Sequence, residues 1–262
     1  MTLEMLLEQW AIFLLVLVRI LAFFTSMPLF SYRNVPAVFK IGLGVFFALI
    51  LAFAIDVPEE TIVFDNTYFL LLFKELLVGL SIGFIAGMLM YAVQVAGMFL
   101  DIAFGFLVAN VIDPQTGAQS PLMGGYLYTF ALLFLLATDG HHLILDGIYY
   151  SYSFIPIDQL FLPFGEEAVV REAMTAFTTM FAVAFQMSFP VVGSLFLIDV
   201  ALGMMSRAVP QMNVFVVGLP LKIFAGLPIL AISLPAFFLL TDRLFDEMFV
   251  TMRTLMELFG GS

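Results

Sequence analysis

Residues 68–111 read YFLLLFKELLVGLSIGFIAGMLMYAVQVAGMFLDIAFGFLVANV, with Lys74, Glu75 and Asp101 as the charges in an otherwise apolar run. The apolar residues follow one another without the strict alternation of a lipid-facing strand, and periodicity of this kind selects helix. Lipid offers the backbone no hydrogen-bond partners, so helix and closed barrel are the structures available to such a run. At about 1.5 Å per residue the stretch is roughly twice as long as the ~30 Å hydrocarbon core of a bilayer. It must break, project beyond the membrane or fold back as a hairpin. Gly97, Gly105 or residues 110–114 can supply the break, because glycine admits unusual torsions and Pro114 removes a donor.

Further apolar segments lie at 11–30, 39–55, 122–137, 173–200 and 214–240, giving six nominal segments and an all-α integral membrane protein. Only 11% of the 262 residues are charged against 63% hydrophobic, too few charges for a water-exposed surface when soluble domains carry about 25%. No hydrophilic block is long enough to fold separately, so residues 1–262 are expected to form one membrane domain. The net charge of −11 repels phosphate backbones, which excludes nucleic acid as a partner. Cysteine is absent, excluding disulfides and thiolate metal sites. The acidic start MTLEMLLE lacks the basic residues of a secretory signal and is expected to stay attached as the lead-in to the first membrane helix. Arg33, Lys40 and Arg207 fall on one side of the nominal topology and Lys74, Arg171, Arg243 and Arg253 on the other, a tally that sets no orientation.

Gly79, Gly83 and Gly87 recur every four residues, and the same spacing returns at Gly97, Asp101 and Gly105. Such a ladder lets another helix approach closely, whether within this chain, in a neighbouring subunit or along a conduit. It is a contact surface and not a catalytic site. The polar, turn-rich stretch at 110–121 carries Pro114, Pro121 and Gly117 and suits either a surface loop or irregular backbone lining a pathway. Arg19, Asp101, Asp199 and Lys222 lie in or beside apolar segments, where an unpaired charge costs at least about 2.5 kcal/mol. Snorkelling answers this for Arg19 and Lys222, and interhelical hydrogen bonds for the two aspartates, with an ionisable functional site as the alternative.

His141 and His142, with Asp139 and Asp146 nearby, suggest a metal or protonation site, but neighbours on a helix do not share a face, and a turn after Thr138 is the simpler reading. No phosphate loop and no catalytic triad is present, so no enzyme, cofactor or metal is expected. Pro210, Pro220, Pro228 and Pro235 imply that the last segment is a bent hairpin arm or several helical pieces.

Three stretches make the sequence recognisable: GFLVANVIDP at 105–114 running on to Pro121, FLLATDGH at 134–141, and DVALGMMSRAVPQMNVFVVGLP at 199–220. Together they resemble the FliR family of the flagellar type III export gate, whose injectisome homologues belong to the same lineage. Arg19, Pro28, Val35-Pro36, Glu75, Gly79 and Gly83 agree more weakly. Asp139 and Ser206 stand where the family usually has asparagine.

The resemblance implies a core subunit in the bacterial inner membrane at the flagellar basal body, assembled with FliP and FliQ beside FlhB and FlhA-like components. Unfolded rod, hook and filament proteins pass through the channel. It implies a FliP-like part over about 1–200 and a FliQ-like hairpin over about 201–262, with hairpins lifted from the usual membrane plane. It also implies a plug at 106–117, in which Phe106, Val108, Val111 and Ile112 fill a constriction beside Asn110, while Asp113, Pro114, Gln115, Thr116 and Gly117 form a turn that moves. Exposing such side chains costs about 1.5–3 kcal/mol each, within reach of a driven substrate. Gly79, Gly83, Gly87, Gly97, Asp101, Gly105, Arg207, Pro210 and Pro220 are the expected helix-packing or subunit contacts. A small-molecule or ion permease using Asp101, Asp199 or Lys222 is the alternative from another class, and a purely structural assembly nucleus is a third.

Overall fold

A computed structural model of the chain describes residues 3–31, 35–55, 66–106, 121–211 and 213–261. Among these residues the regular structure is all helical: α1 Leu3–Ser26, α2 Pro28–Ser31, α3 Ala37–Ala54, α4 Asn66–Phe104, α5 Leu122–Ala137, α6 Gly140–Phe154, α7 Glu167–Ala208 and α8 Val214–Gly260. Five of the helices are long and apolar enough to cross a membrane, and a sixth span results if α5 and α6 together count as one.

Local chemistry sets the ends of these helices. α3 and α5 begin directly after Pro36 and Pro121, where the fixed proline torsion starts a helix and the missing N–H would have had no partner. α6 begins after Asp139, which takes a left-handed φ of 57°, a conformation that aspartate tolerates better than most residues. α7 opens on Glu167 and closes with Arg207 in its last turn, each sign of charge at the end of the helix dipole that favours it.

The chain packs as two compact units. The first comprises Met1–Leu89, Asp139–Phe177 and Asp246–Ser262, and the second Met90–Thr138 and Thr178–Phe245. In the first unit Ile12, Val16, Ile20 and Phe23 of α1 and Val78, Ile82 and Ala86 of α4 are fully or almost fully buried, one stripe per helix at three- and four-residue spacing. The Tyr68 hydroxyl donates to Ala11 O at 3.0 Å and the Gln159 amide to Phe259 O at 2.8 Å, tying α4 to α1 and the segment after α6 to the end of α8. In the second unit Phe134 of α5 lies 5.2 Å from Phe238 and 6.0 Å from Phe245 between ring centroids, and Phe104 occupies the space left by the missing side chain of Gly226.

The structure bears on four of these expectations. The long third segment neither breaks at Gly97 nor folds back: α4 is one helix of 39 residues that stops at Gly105. The last segment is not several pieces, because α8 runs for 47 residues with Pro220, Pro228 and Pro235 inside it, while Pro210 stands in the preceding turn. Each proline removes one hydrogen bond but its φ is already helical, so a long helix held by its other bonds continues through it. The turn expected after Thr138-Asp139-Gly140 stands at Thr138–Asp139, and His141 and His142 lie beyond it in the first turn of α6, which runs on to Phe154. The division near 200/201 falls inside α7, which continues past it to Ala208.

Candidate functional site

Gly97, Asp101 and Gly105 lie on one face of α4 at four-residue spacing, and in the second unit each makes a different kind of contact. A Cβ on Gly97 would overlap the backbone of Gly124, so the two glycines let α4 and the first turn of α5 touch main chain to main chain. One turn further, Asp101 is 1% exposed, and its Oδ1 accepts the Met123 N–H at 3.1 Å. The carboxylate of one helix thereby satisfies an orphan donor of another, the work normally done by a local N-cap residue. The interhelical hydrogen bond anticipated for Asp101 is thus made by a backbone amide.

Gly105 then ends α4 with a φ of 83°. Phe106 N donates to Asp101 O at 2.9 Å and Gly105 N to Ile102 O at 3.1 Å, the paired bonds of a Schellman end. The ring of Phe106 stacks on Phe104 at 5.3 Å, closing that end with an apolar contact. Phe106 is therefore the described member of the expected plug. Val108, Asn110, Val111, Ile112, Asp113, Pro114, Gln115, Thr116 and Gly117 lie outside the described residues.

In the first unit the upper part of the ladder packs on α1 and α2 of the same chain. A Cβ on Gly79 would overlap Arg19 O, one on Gly83 would overlap Ser26 Oγ, and Gly87 faces Ser26 O and Pro28. Arg207, Pro210 and Pro220 are exposed in this chain.

The same glycine contact carries Arg19 into a buried polar cluster that the sequence reading missed. Arg19 is fully buried and does not snorkel. Its guanidinium donates through Nε and Nη2 to the two oxygens of Glu75, through Nη1 to Ser151 Oγ at 3.0 Å, and through Nη2 to Ile155 O at 2.9 Å. The Tyr152 ring covers it with 3.9 Å from Cζ to the centroid. Lys74 is no interfacial charge either: 3% exposed, it donates to Glu75, to Pro156 O at 2.9 Å and to Ile157 O at 3.0 Å. The available signal was an arginine and a glutamate in two separate apolar runs, since membrane-depth charges of opposite sign pair.

Lys222 is also paired, with Asp199 of α7 at 2.7 Å. His142 Nδ1 lies 3.6 Å from Asp139 Oδ1, and the rings of His141 and His142 meet at a tilt with 4.1 Å between centroids. One ligand atom from each of the three residues falls within 4.8 Å of the others, but at the positive N-terminal end of α6 a cation is disfavoured.

Buried ion pairs and glycine contacts here join helix to helix, and the fold they support is that of an all-α integral membrane protein with long apolar helices. The chain belongs to the family described as bacterial export proteins, family 1, whose model matches residues 10–248. It is 53% identical over 250 residues to the flagellar biosynthetic protein FliR of Bacillus subtilis (strain 168), covering 95% of this chain and 96% of that protein. It is 28% identical to FliR of Escherichia coli (strain K12), over 92% of this chain and 93% of that protein. The secretion system apparatus protein SsaT of Salmonella typhimurium is 29% identical over 171 residues, 65% of each chain.

Proposed function

We propose that this chain is the FliR-type core subunit of a flagellar type III protein export gate in the bacterial inner membrane. The observation that carries this reading is the 53% identity to a flagellar biosynthetic protein along nearly the whole of both chains. The relatives SsaT and SpaR from the injectisome side of the lineage align at 28–29% identity, well below that 53%, which favours the flagellar branch.

In this reading the chain assembles with FliP and FliQ beside FlhB and FlhA-like proteins, and unfolded rod, hook and filament subunits pass through the channel they form. Residues 106–117 are the plug. Support comes from the ends on which the plug is mounted: α4 stops in a capped turn with Phe106 stacked on Phe104, and α5 starts under Asp101. A segment whose two anchors are fixed can close a passage and yield locally, with no covalent chemistry. The permease alternative receives less support, since Lys222 and Asp199 neutralise one another.

Deleting residues 110–117 in cells that make the whole apparatus tests the plug. The assembled channel is expected to leak ions and slow growth, and an assembled channel that stays tight overturns the plug assignment.

A further inference from the structure

Asp101 of the second unit has one oxygen that the fold leaves unused. Oδ1 accepts the Met123 N–H at 3.1 Å, and the Gly124 N–H lies beside the same carboxyl group. Oδ2 is buried and has no hydrogen-bond partner among the described residues. The residue is 1% exposed, held between the Gly97–Gly124 backbone contact one turn earlier and the turn at Gly105.

Among the described residues no cation answers this carboxyl. The other charged groups described in the unit are Asp199, Arg207, Lys222, Asp242 and Arg243; Lys222 pairs with Asp199, and none of them forms an ion pair with Asp101. On α5 the face that meets α4 runs from Gly124 to the buried Tyr128, its titratable residue, and α8 meets this end of α4 through Leu219 and Gly226. The helix ends oppose one another: α5 points its positive end at the carboxyl, but Asp101 stands in the last turn of α4, whose negative end disfavours an anion. Burial then decides. A neutral acid leaves one O–H short of an acceptor, whereas an anion leaves a whole charge short of a cation, much the larger cost in an apolar pack. As an acid, the group still offers its C=O at Oδ1 to the Met123 amide.

We propose that Asp101 is a proton-binding site, which carries a proton on Oδ2 while α4 and α5 are joined and releases it to water when the start of α5 comes away. The joined arrangement binds one more proton than the opened one, so it is favoured as pH falls and weakens as pH rises. Once ionised, the carboxylate needs water at both oxygens, and the close packing at Gly97, Met123 and Gly124 admits water only by separating the two helices. The junction of α4 and α5 is thereby a pH-responsive element. A proton site of this kind needs no partner subunit, so it stands or falls separately from the export reading.

Infrared spectroscopy of the full chain in its detergent-purified assembly, with isotope-labelled aspartate carboxyls, tests the protonation. Near neutral pH the C=O absorption of a protonated aspartate is expected in the unsubstituted protein, and its loss in Asp101→Asn, a neutral variant of the same shape. Hydrogen exchange tests the coupling. After division by the intrinsic exchange rate, protection of the Met123 amide should fall by up to about tenfold per pH unit in the unsubstituted protein and stay level in Asp101→Asn. A protonated band that persists in Asp101→Asn, or protection that changes with pH equally in both proteins, overturns the proposal. If Asp101→Asn fails to fold, the unsubstituted protein still decides: no protonated-aspartate band near neutral pH, or Met123 protection that does not fall as pH rises, overturns it as well.

Discussion

Arg19 and Glu75 form a two-pronged ion pair with no solvent access, joining α1 to α4 across 56 residues of sequence. Glu75 also takes a bond from Lys74, so one carboxylate gathers two cations, while Ser151 Oγ and the backbone carbonyls of Ile155, Pro156 and Ile157 accept from their other N–H groups. Breaking a buried pair strands the surviving charge, which costs about 3–5 kcal/mol. Arg19→Ala and Glu75→Ala are each expected to lose that much, read as a lower thermal unfolding midpoint in detergent and less accumulated protein. Arg19→Lys should fail nearly as badly, because a point charge cannot span both carboxylate oxygens, Ser151 and Ile155 together.

Close approach of α1 and α4 gives a second prediction. Gly79→Ala puts a methyl group into the Arg19 backbone carbonyl, which cannot move without displacing α1. A cost of about 1–3 kcal/mol is expected from such overpacking. Gly42→Ala meets nothing within 4 Å and should be neutral or stabilising, as alanine is in a helix interior. Thermal unfolding of the two variants side by side separates a packing requirement from a general intolerance of substitution.

Gly105 is the position where torsion rather than space decides, although Leu219 also crowds it at 2.8 Å from an added Cβ. Gly105→Ala is expected to cost about 1–2 kcal/mol, the penalty of a left-handed residue bearing a side chain. Gly105→Asn should cost less, because asparagine accepts that conformation at helix ends. The order of unfolding midpoints, glycine above asparagine above alanine, checks this.

Asp101 predicts a local effect. Asp101→Ala removes the acceptor of the Met123 amide and should weaken the start of α5 by about 0.5–2 kcal/mol, whereas Asp101→Asn keeps an acceptor oxygen in place. Hydrogen exchange at Met123 is expected to accelerate in the alanine variant and stay near the original rate in the asparagine variant.

Much of this fold was legible in the sequence because lipid reduces the choices: continuous apolar runs gave the helices, and four-residue glycine spacing gave the faces on which they meet. The errors have physical causes. Arg19 and Lys74 were read as single charges, but both converge on Glu75 and on the carbonyls after α6, and one-dimensional spacing does not show that convergence. The last segment was expected as a bent hairpin arm or several helical pieces, and the second alternative fails because the fixed φ of proline is helical and the remaining bonds carry one helix through. α6 was missed because its tyrosines, serines and histidines dilute the apolar signal, although Ile144, Ile148 and Tyr152 keep a four-residue buried stripe. The end of α4 was among the three break points named, and the positive φ of Gly105 selected it.

Native extraction in mild detergent, followed by mass analysis of the particle containing this chain, tests the central claim most directly. The account predicts a large complex holding several other apolar export subunits together with this one. Recovery only as a free monomer under conditions that preserve other membrane complexes, or solute flux by the purified chain alone in vesicles, would contradict it.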